Sequence, residues 1–217
     1  IPMWAQHKVK SNYEKYSQVR STSGKTGREV AEEILHANGI YDVDVVKGEG
    51  FLTDHYDPNK KVVCLSPANF DRPSVAGTAI AAHEVGHAIQ HQQGYAFLRF
   101  RTALVPLANI GSSLSYIVIM AGIFLTALGS AFGSTALWIG AGLMSLAVLF
   151  SIVTLPVEFD ASSRAMKQIT ALNIVNEKEY KHARKVLSAA AMTYVAATAT
   201  AVAELVRIIL LARANDN

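Results

Sequence analysis

Residues 102–157 contain no Asp, Glu, Lys, Arg or His, a run of 56 uncharged positions. One membrane-spanning helix needs about 20 apolar residues, so the run holds two. A buried hairpin in a soluble domain would also lack charge, but the length of the run weighs against it. Charge is scarce elsewhere too. Asp, Glu, Lys and Arg make up 17% of the chain and hydrophobic residues 51%, against about 25% charged in an average soluble domain. The formal net charge of +3 is too small to argue for a nucleic-acid partner. A single cysteine, Cys64, excludes an intrachain disulfide. It lies in the apolar stretch Val62-Val63-Cys64-Leu65, where it fits a strand. No Met opens the sequence. Ile1-Pro2-Met3-Trp4-Ala5 resembles the tail of an apolar segment, and the expectation is an N-terminal membrane anchor lost by truncation.

What is present begins with a polar, basic stretch over residues 6–22, expected beside the membrane. Ser23-Gly24-Lys25-Thr26 is not a phosphate loop, because Val19 stands where that motif needs a glycine. Thr26 with Glu29 forms a capping box instead. Val30, Ile34 and Leu35 then give a helix one apolar face, and Gly39 stops it. Short β signals follow at Tyr41–Val46, Phe51–Tyr56 and Lys61–Leu65, with Asp57-Pro58-Asn59-Lys60 as a turn. They predict a hairpin beside a third strand. Ser66-Pro67 ends the last strand, and a helix is expected from about Ser74 to Gln93, stopped by Gly94.

Within the uncharged run, spans are expected at about 107–128 and 135–155, joined by the Gly/Ser turn at 129–134. Gly129 and Gly133 serve that turn rather than a dimer face. Val186–Ala203 is a further uncharged stretch and predicts a C-terminal membrane helix, in which Glu204 and Arg207 can pair. Lys and Arg crowd the polar parts (Lys8, Lys10, Lys15, Arg99, Arg101, Arg164, Lys167, Lys181, Arg184, Lys185), and the 129–134 turn has none. By the positive-inside rule the polar part faces the cytoplasm. The chain therefore divides into a juxtamembrane segment (1–22), a catalytic part (23–101), a transmembrane hairpin (102–157), a polar segment (158–185) and a C-terminal membrane helix (186–213). The expected fold class is an α+β membrane protein, mainly α-helical, with a small β-hairpin or sheet.

The chemistry sits in the helix after that hairpin. His83-Glu84-Val85-Gly86-His87 is an H-E-x-x-H motif. Histidines at i and i+4 share one helix face and can reach one Zn²⁺ ion. Glu84 is then placed to act as the general base. A chance pair of histidines on an amphipathic helix is the rival, and the helical context disfavours it. His91, eight residues beyond His83, is about 12 Å along the axis, so one metal cannot bind all three. Gln90 and Gln93 stand where a longer H-E-x-x-H-x-x-G-x-x-H pattern needs Gly and His.

A catalytic zinc needs a third protein ligand. No acid occurs from Ala88 to Val157, so Glu158 is the first available after the motif. It is expected where the second membrane helix returns beside the histidines. Glu177 and Glu179 are rivals, in a Lys/Glu-rich stretch expected to be a solvated loop or helix cap. Asp160 is a candidate to orient a ligand histidine. His55, in the polar cluster Thr53–Asp57, is a substrate or support candidate, although a surface role suits it as well.

The H-E-x-x-H stretch, Leu52-Thr53-Asp54-His55-Tyr56-Asp57-Pro58 and Leu155-Pro156-Val157-Glu158-Phe159-Asp160-Ala161-Ser162 together resemble the bacterial neutral zinc metallopeptidases of the YugP type, over nearly the whole chain. The sequence is similar, more distantly, to gluzincin membrane proteases of the HtpX and CAAX-protease kind. Those carry Glu-x-x-Ala-Asp after their membrane segments. Glu158 and Ala161 match, Ser162 stands where the Asp would be, and Asp160 is the acid available to substitute. The resemblance implies a membrane-bound zinc metalloendopeptidase of the bacterial cell membrane, with polypeptide or membrane-protein substrates bound along the hairpin edge at 51–65. For the oxyanion-stabilising group, His55, His91, Tyr194 and Arg164 remain unranked. The alternative function is a non-proteolytic membrane scaffold or chaperone-like module with structural zinc or none.

Overall fold

A computed structural model describes residues 2–215. Seven helices and three strands follow in the order α1 (Pro2–Ser17), α2 (Gly27–Ala37), β1 (Asp44–Lys47), β2 (His55–Asp57), β3 (Val62–Leu65), α3 (Pro67–Asp71), α4 (Val75–Gln92), α5 (Ala96–Ala127), α6 (Phe132–Ala171) and α7 (Glu177–Ala214). The architecture is a mainly helical α+β membrane protein with a small sheet. Helices α5, α6 and α7 are each long and apolar enough to cross a bilayer. The described residues form two compact units, one from Met3–Leu98 with Val157–Thr193, the other from Arg99–Pro156 with the segment from Tyr194 onward.

In the first unit, local signals in the sequence become element ends. The Thr26 side chain accepts from the Glu29 N–H, and the Glu29 carboxylate accepts from the Thr26 N–H at 2.7 Å, a complete capping box for α2. Val30, Ile34 and Leu35 of α2 are fully buried against α4 and the sheet. Each such side chain contributes roughly 1.5–3 kcal/mol by leaving water. Ser74 caps α4 by accepting from the Gly77 N–H at 3.0 Å. Small residues (Ala76, Ala79, Ala82) cover much of the buried face of α4 and permit close neighbours.

The sheet order is β1-β3-β2. β2 and β3 form the expected antiparallel hairpin, with Tyr56 opposite Val63. Asp57 Oδ1 accepts from the N–H groups of Asn59 and Lys60 and closes the turn. β1 runs parallel to β3 on its other side, with Val45 opposite Val63. The strand expected at Phe51–Tyr56 is shorter, because Leu52 takes a left-handed conformation (φ 54°) that ends any extended run before His55.

Residues 6–22 lie mostly in helix α1, whose Tyr13 and Tyr16 are buried in the core of this unit. Ser66-Pro67 ends β3, as expected, and also starts the short helix α3. One expectation needs correction. Glu179 is not solvated; it is 4% exposed, inside the first turn of α7. Its carboxylate accepts from the Thr22 N–H at 2.6 Å, the Thr22 hydroxyl at 2.7 Å and the Asn176 N–H at 3.0 Å. Glu177 is exposed, as expected.

The second unit holds the uncharged parts of α5 and α6 and the C-terminal part of α7. The turn between α5 and α6 lies where the Gly/Ser stretch placed it, with Gly129 in the left-handed region at φ 73°. Gly133 belongs to the first turn of α6, where a Cβ would collide with the Thr126 backbone. Ile119, Leu137, Ala141, Ile208 and Ala212 form the buried centre. Large apolar side chains such as Ile110, Ile117, Phe124 and Ile139 point outward, as a lipid-facing surface requires. Glu204 and Arg207 pair as the sequence suggested.

Candidate metal centre

Helix α4 carries His83 and His87 one turn apart, with ring centroids 4.8 Å apart and planes near perpendicular at 83°. The part of α6 that belongs to the same unit lies across them. Gly86 makes this possible, because a Cβ there would stand 2.6 Å from the Ala161 carbonyl oxygen. Glu158 is one turn before Ala161 on α6 and points at the histidines. Its Oε2 lies 3.2 Å from His83 Nε2 and 3.7 Å from His87 Nε2. Among the described residues, His83, His87 and Glu158 are the group whose ligand atoms gather as a metal site requires, all within 4.8 Å of one another.

The donor set fits zinc. Metal–ligand bonds of 2.0–2.2 Å at tetrahedral angles put neighbouring ligand atoms about 3.4 Å apart, and the two observed separations bracket that value. The remaining ring nitrogens are already engaged. Gln90, fully buried, donates through Nε2 to the Val157 carbonyl and to Asp160 Oδ2, both at 2.8 Å. Since both partners are acceptors, the orientation of the amide is fixed, and its Oε1 accepts from His87 Nδ1–H at 3.0 Å. His87 Nε2 is thereby the ring nitrogen that faces Glu158. His83 Nδ1 lies 3.1 Å from the Ser162 hydroxyl. Outer partners of this kind orient ligand imidazoles in metal sites.

Glu84, next to His83, is 9% exposed, and among the described residues it makes no hydrogen bond or ion pair. Burial pushes its carboxyl above the ordinary carboxylate range; the neighbouring imidazoles oppose this and Glu158 adds to it. Burial pulls His87 down, but its contact with Glu158 and the charge of Glu84 prevail and hold it above the ordinary imidazole value.

The other candidates lie outside this group. His91 Nδ1 meets the Tyr56 hydroxyl at 2.8 Å. Burial, with Asp42 and Asp57 nearby, pushes that phenol up to about 12. His55 is exposed and its Nδ1 lies 2.8 Å from the Thr53 carbonyl. Arg164 is committed to Asp160 and Gln93, each at 2.5 Å, and Tyr194 belongs to the other unit. Asp160 touches neither histidine; it reaches His87 only through Gln90. Ser162 itself makes the contact with His83. In sequence Gln90 is only a departure from a longer motif, although it sits one turn after His87, where an amide can meet Nδ1, and Ser162 is only a departure from the Glu-x-x-Ala-Asp pattern.

A family model described as "Putative neutral zinc metallopeptidase" matches residues 1–213. A protein of Bacillus subtilis (strain 168) called "Putative membrane protease YugP" is 44% identical over 211 residues, covering 97% of this chain and 91% of its own length. No solved structure matches.

Proposed function

We infer the function from one premise: the chain belongs to the neutral zinc metallopeptidase family. The protein is a membrane-bound, zinc-dependent endopeptidase that hydrolyses polypeptide or membrane-protein substrates. The observation that carries this is the convergence of His83 Nε2 and His87 Nε2 on one oxygen of Glu158, with both Nδ1 atoms occupied elsewhere. His83, His87 and Glu158 would hold one Zn²⁺ ion.

Zinc held there supplies Lewis acidity toward a peptide carbonyl and toward water. Glu84 takes the proton of the attacking water on its carboxylate and passes it to the nitrogen of the leaving amine. Its freedom from other partners among the described residues supports that role. Gln90 keeps the His87 proton on Nδ1, and Asp160 holds Gln90 in place. The substrate adds as an extended strand along β2, the sheet edge that packs against α4. The unit containing the site faces the cytoplasm of a bacterial cell, because Lys and Arg concentrate there and the 129–134 turn has none.

The test is Glu84→Gln in the purified protein. The variant should retain zinc by metal analysis and lose cleavage of an unfolded protein by about 100-fold or more. Retained cleavage removes Glu84 as the base. Undiminished cleavage after a chelator has demonstrably stripped the zinc overturns the metallopeptidase reading as a whole.

A further inference from the structure

Within the first unit α1 and α7 lie together, with the Tyr16 and His182 rings 4.7 Å apart. A groove of about 670 Å³ lies between them. Its walls carry Lys8, Lys15, Lys181, Arg184 and Lys185, and no acid. The whole chain has a net charge of only +3, so these five cations are a local concentration. Among the described residues none of the five is in an ion pair. Lys8 sits over the Trp4 ring and Lys15 over the Tyr16 ring. Like charges facing one groove repel, so an arrangement of this kind favours an anion between them.

The groove is also amphipathic along its length. Lys181, Arg184, Lys185, Ser188 and Met192 follow one another at helical spacing on one face of α7. The uncharged run starts at Val186, one residue after the last of these cations. A second groove, of about 1000 Å³ between α6 and α7, shares Arg184, Ser188 and Met192 with the first. Phe159, Met166 and Leu187 give it apolar walls; its charged side chains are Arg184 and Lys167, and again it has no acid. Cations lead directly into an apolar channel at the point where a candidate membrane helix begins.

We propose that the α1/α7 groove binds the phosphate headgroup of an anionic phospholipid from the surrounding bilayer, with an acyl chain lying in the adjoining α6/α7 groove. The joined grooves match an amphiphile, having a polyvalent cationic end and a continuous apolar end. A free phosphate would use only the first. Asn12 and Ser188 add uncharged donors at the same place. The site does not depend on the peptidase reading, because none of the residues lining either groove is a metal ligand, and of them Ser162 alone also meets one, His83.

The experiment uses the full chain in a neutral detergent, offered equal amounts of dioleoyl-phosphatidylglycerol and dioleoyl-phosphatidylcholine, with bound lipid counted by native mass spectrometry. The phosphatidylglycerol adduct should dominate, and its excess should shrink as salt is raised. Each cation near a membrane phosphate is worth roughly a five-fold change in affinity. The triple variant Lys181→Gln, Arg184→Gln, Lys185→Gln should therefore lose the preference by about 100-fold. The triple change Lys47→Gln, Lys60→Gln, Lys61→Gln removes the same charge from the end of β1 and the turn before β3 and should leave the preference intact. If the groove triple does not fold, Lys8→Gln and Lys185→Gln singly should each weaken phosphatidylglycerol about five-fold. Equal binding of both lipids by the unaltered protein overturns the proposal, as does unchanged preference in the groove variants. Complete displacement of the lipid by millimolar inorganic phosphate also overturns it and assigns the groove to the free anion.

Discussion

Gly86 and Ala161 set the closest approach of α4 and α6: a Cβ on Gly86 would stand 2.6 Å from the Ala161 carbonyl oxygen. Glu158 and Ser162 flank Ala161 on α6 and meet the two histidines that flank Gly86 on α4. Contact between the two backbones therefore fixes the separation of the ligand atoms.

Gly86→Ala tests that relationship. Alanine gains about 1 kcal/mol of helix propensity, whereas overpacking costs about 1–3 kcal/mol, so the net effect is destabilising. Melting temperature should fall, and zinc affinity should fall with it because Glu158 is pushed away from His83. Competitive chelator titration measures the second effect; wild-type affinity in a folded variant would show that the helices adjust without cost to the site.

Gln90→Leu removes the amide that joins His87 to Asp160 and to the Val157 carbonyl. The expected outcome is a folded protein whose zinc affinity is lower by about 10–100-fold. Gln90→Glu should be no better, since a carboxylate accepts from His87 but cannot donate to Val157 or Asp160. A Gln90→Glu variant with wild-type zinc affinity would contradict the proposed hydrogen-bond direction.

Glu179→Ala leaves the Thr22 N–H and hydroxyl and the Asn176 N–H without their acceptor. Hydrogen bonds to a charged group contribute about 1.5–3 kcal/mol. Chemical denaturation should show a loss in that range, with the segment around Thr22 opening first in hydrogen exchange. A loss below about 0.5 kcal/mol would mean that water replaces the carboxylate fully.

The α2 capping box adds a modest acid sensitivity. Thr26→Ala should cost about 1 kcal/mol at neutral pH. Hydrogen bonds from Thr26, backbone first, hold the Glu29 carboxyl below its ordinary value. Its contribution is therefore complete above the pKa of the unfolded chain and fades as pH falls through the lower folded-state value. Thr26→Ala should accordingly cost less at about pH 3 than at pH 7, provided both proteins remain folded for the comparison.

Much of the scaffold was legible because its signals are local. Thr26 with Glu29, Ser74, Gly129 and the i, i+4 histidines each announce themselves within one turn of chain. Glu158 was legible for a different reason: 70 acid-free residues, 88–157, left it as the first carboxylate after the motif. Contacts between distant segments were not legible. Tyr13 and Tyr16 look polar and basic in context, yet they are core residues because α1 packs into the unit. Glu179 looks solvated beside lysines, yet Thr22, 157 positions away, removes it from water. The parallel pairing of β1 escaped for the same reason, since alternation marks a strand but not its neighbour. Ser162 was noted as a departure from a pattern, and only the three-dimensional arrangement put its hydroxyl on His83.

The ligand set also has an order in time. His83 precedes Glu158 by 75 positions, and a ribosome adds roughly 5–20 residues per second. For several seconds of synthesis the nascent chain holds His83, Glu84 and His87 without Glu158. The α4 half is made before the second membrane segment, and Glu158 follows that segment. Completion of the ligand set thus waits on translation of the apolar hairpin, so the chain cannot hold a full set of metal donors until both segments of that hairpin have been made.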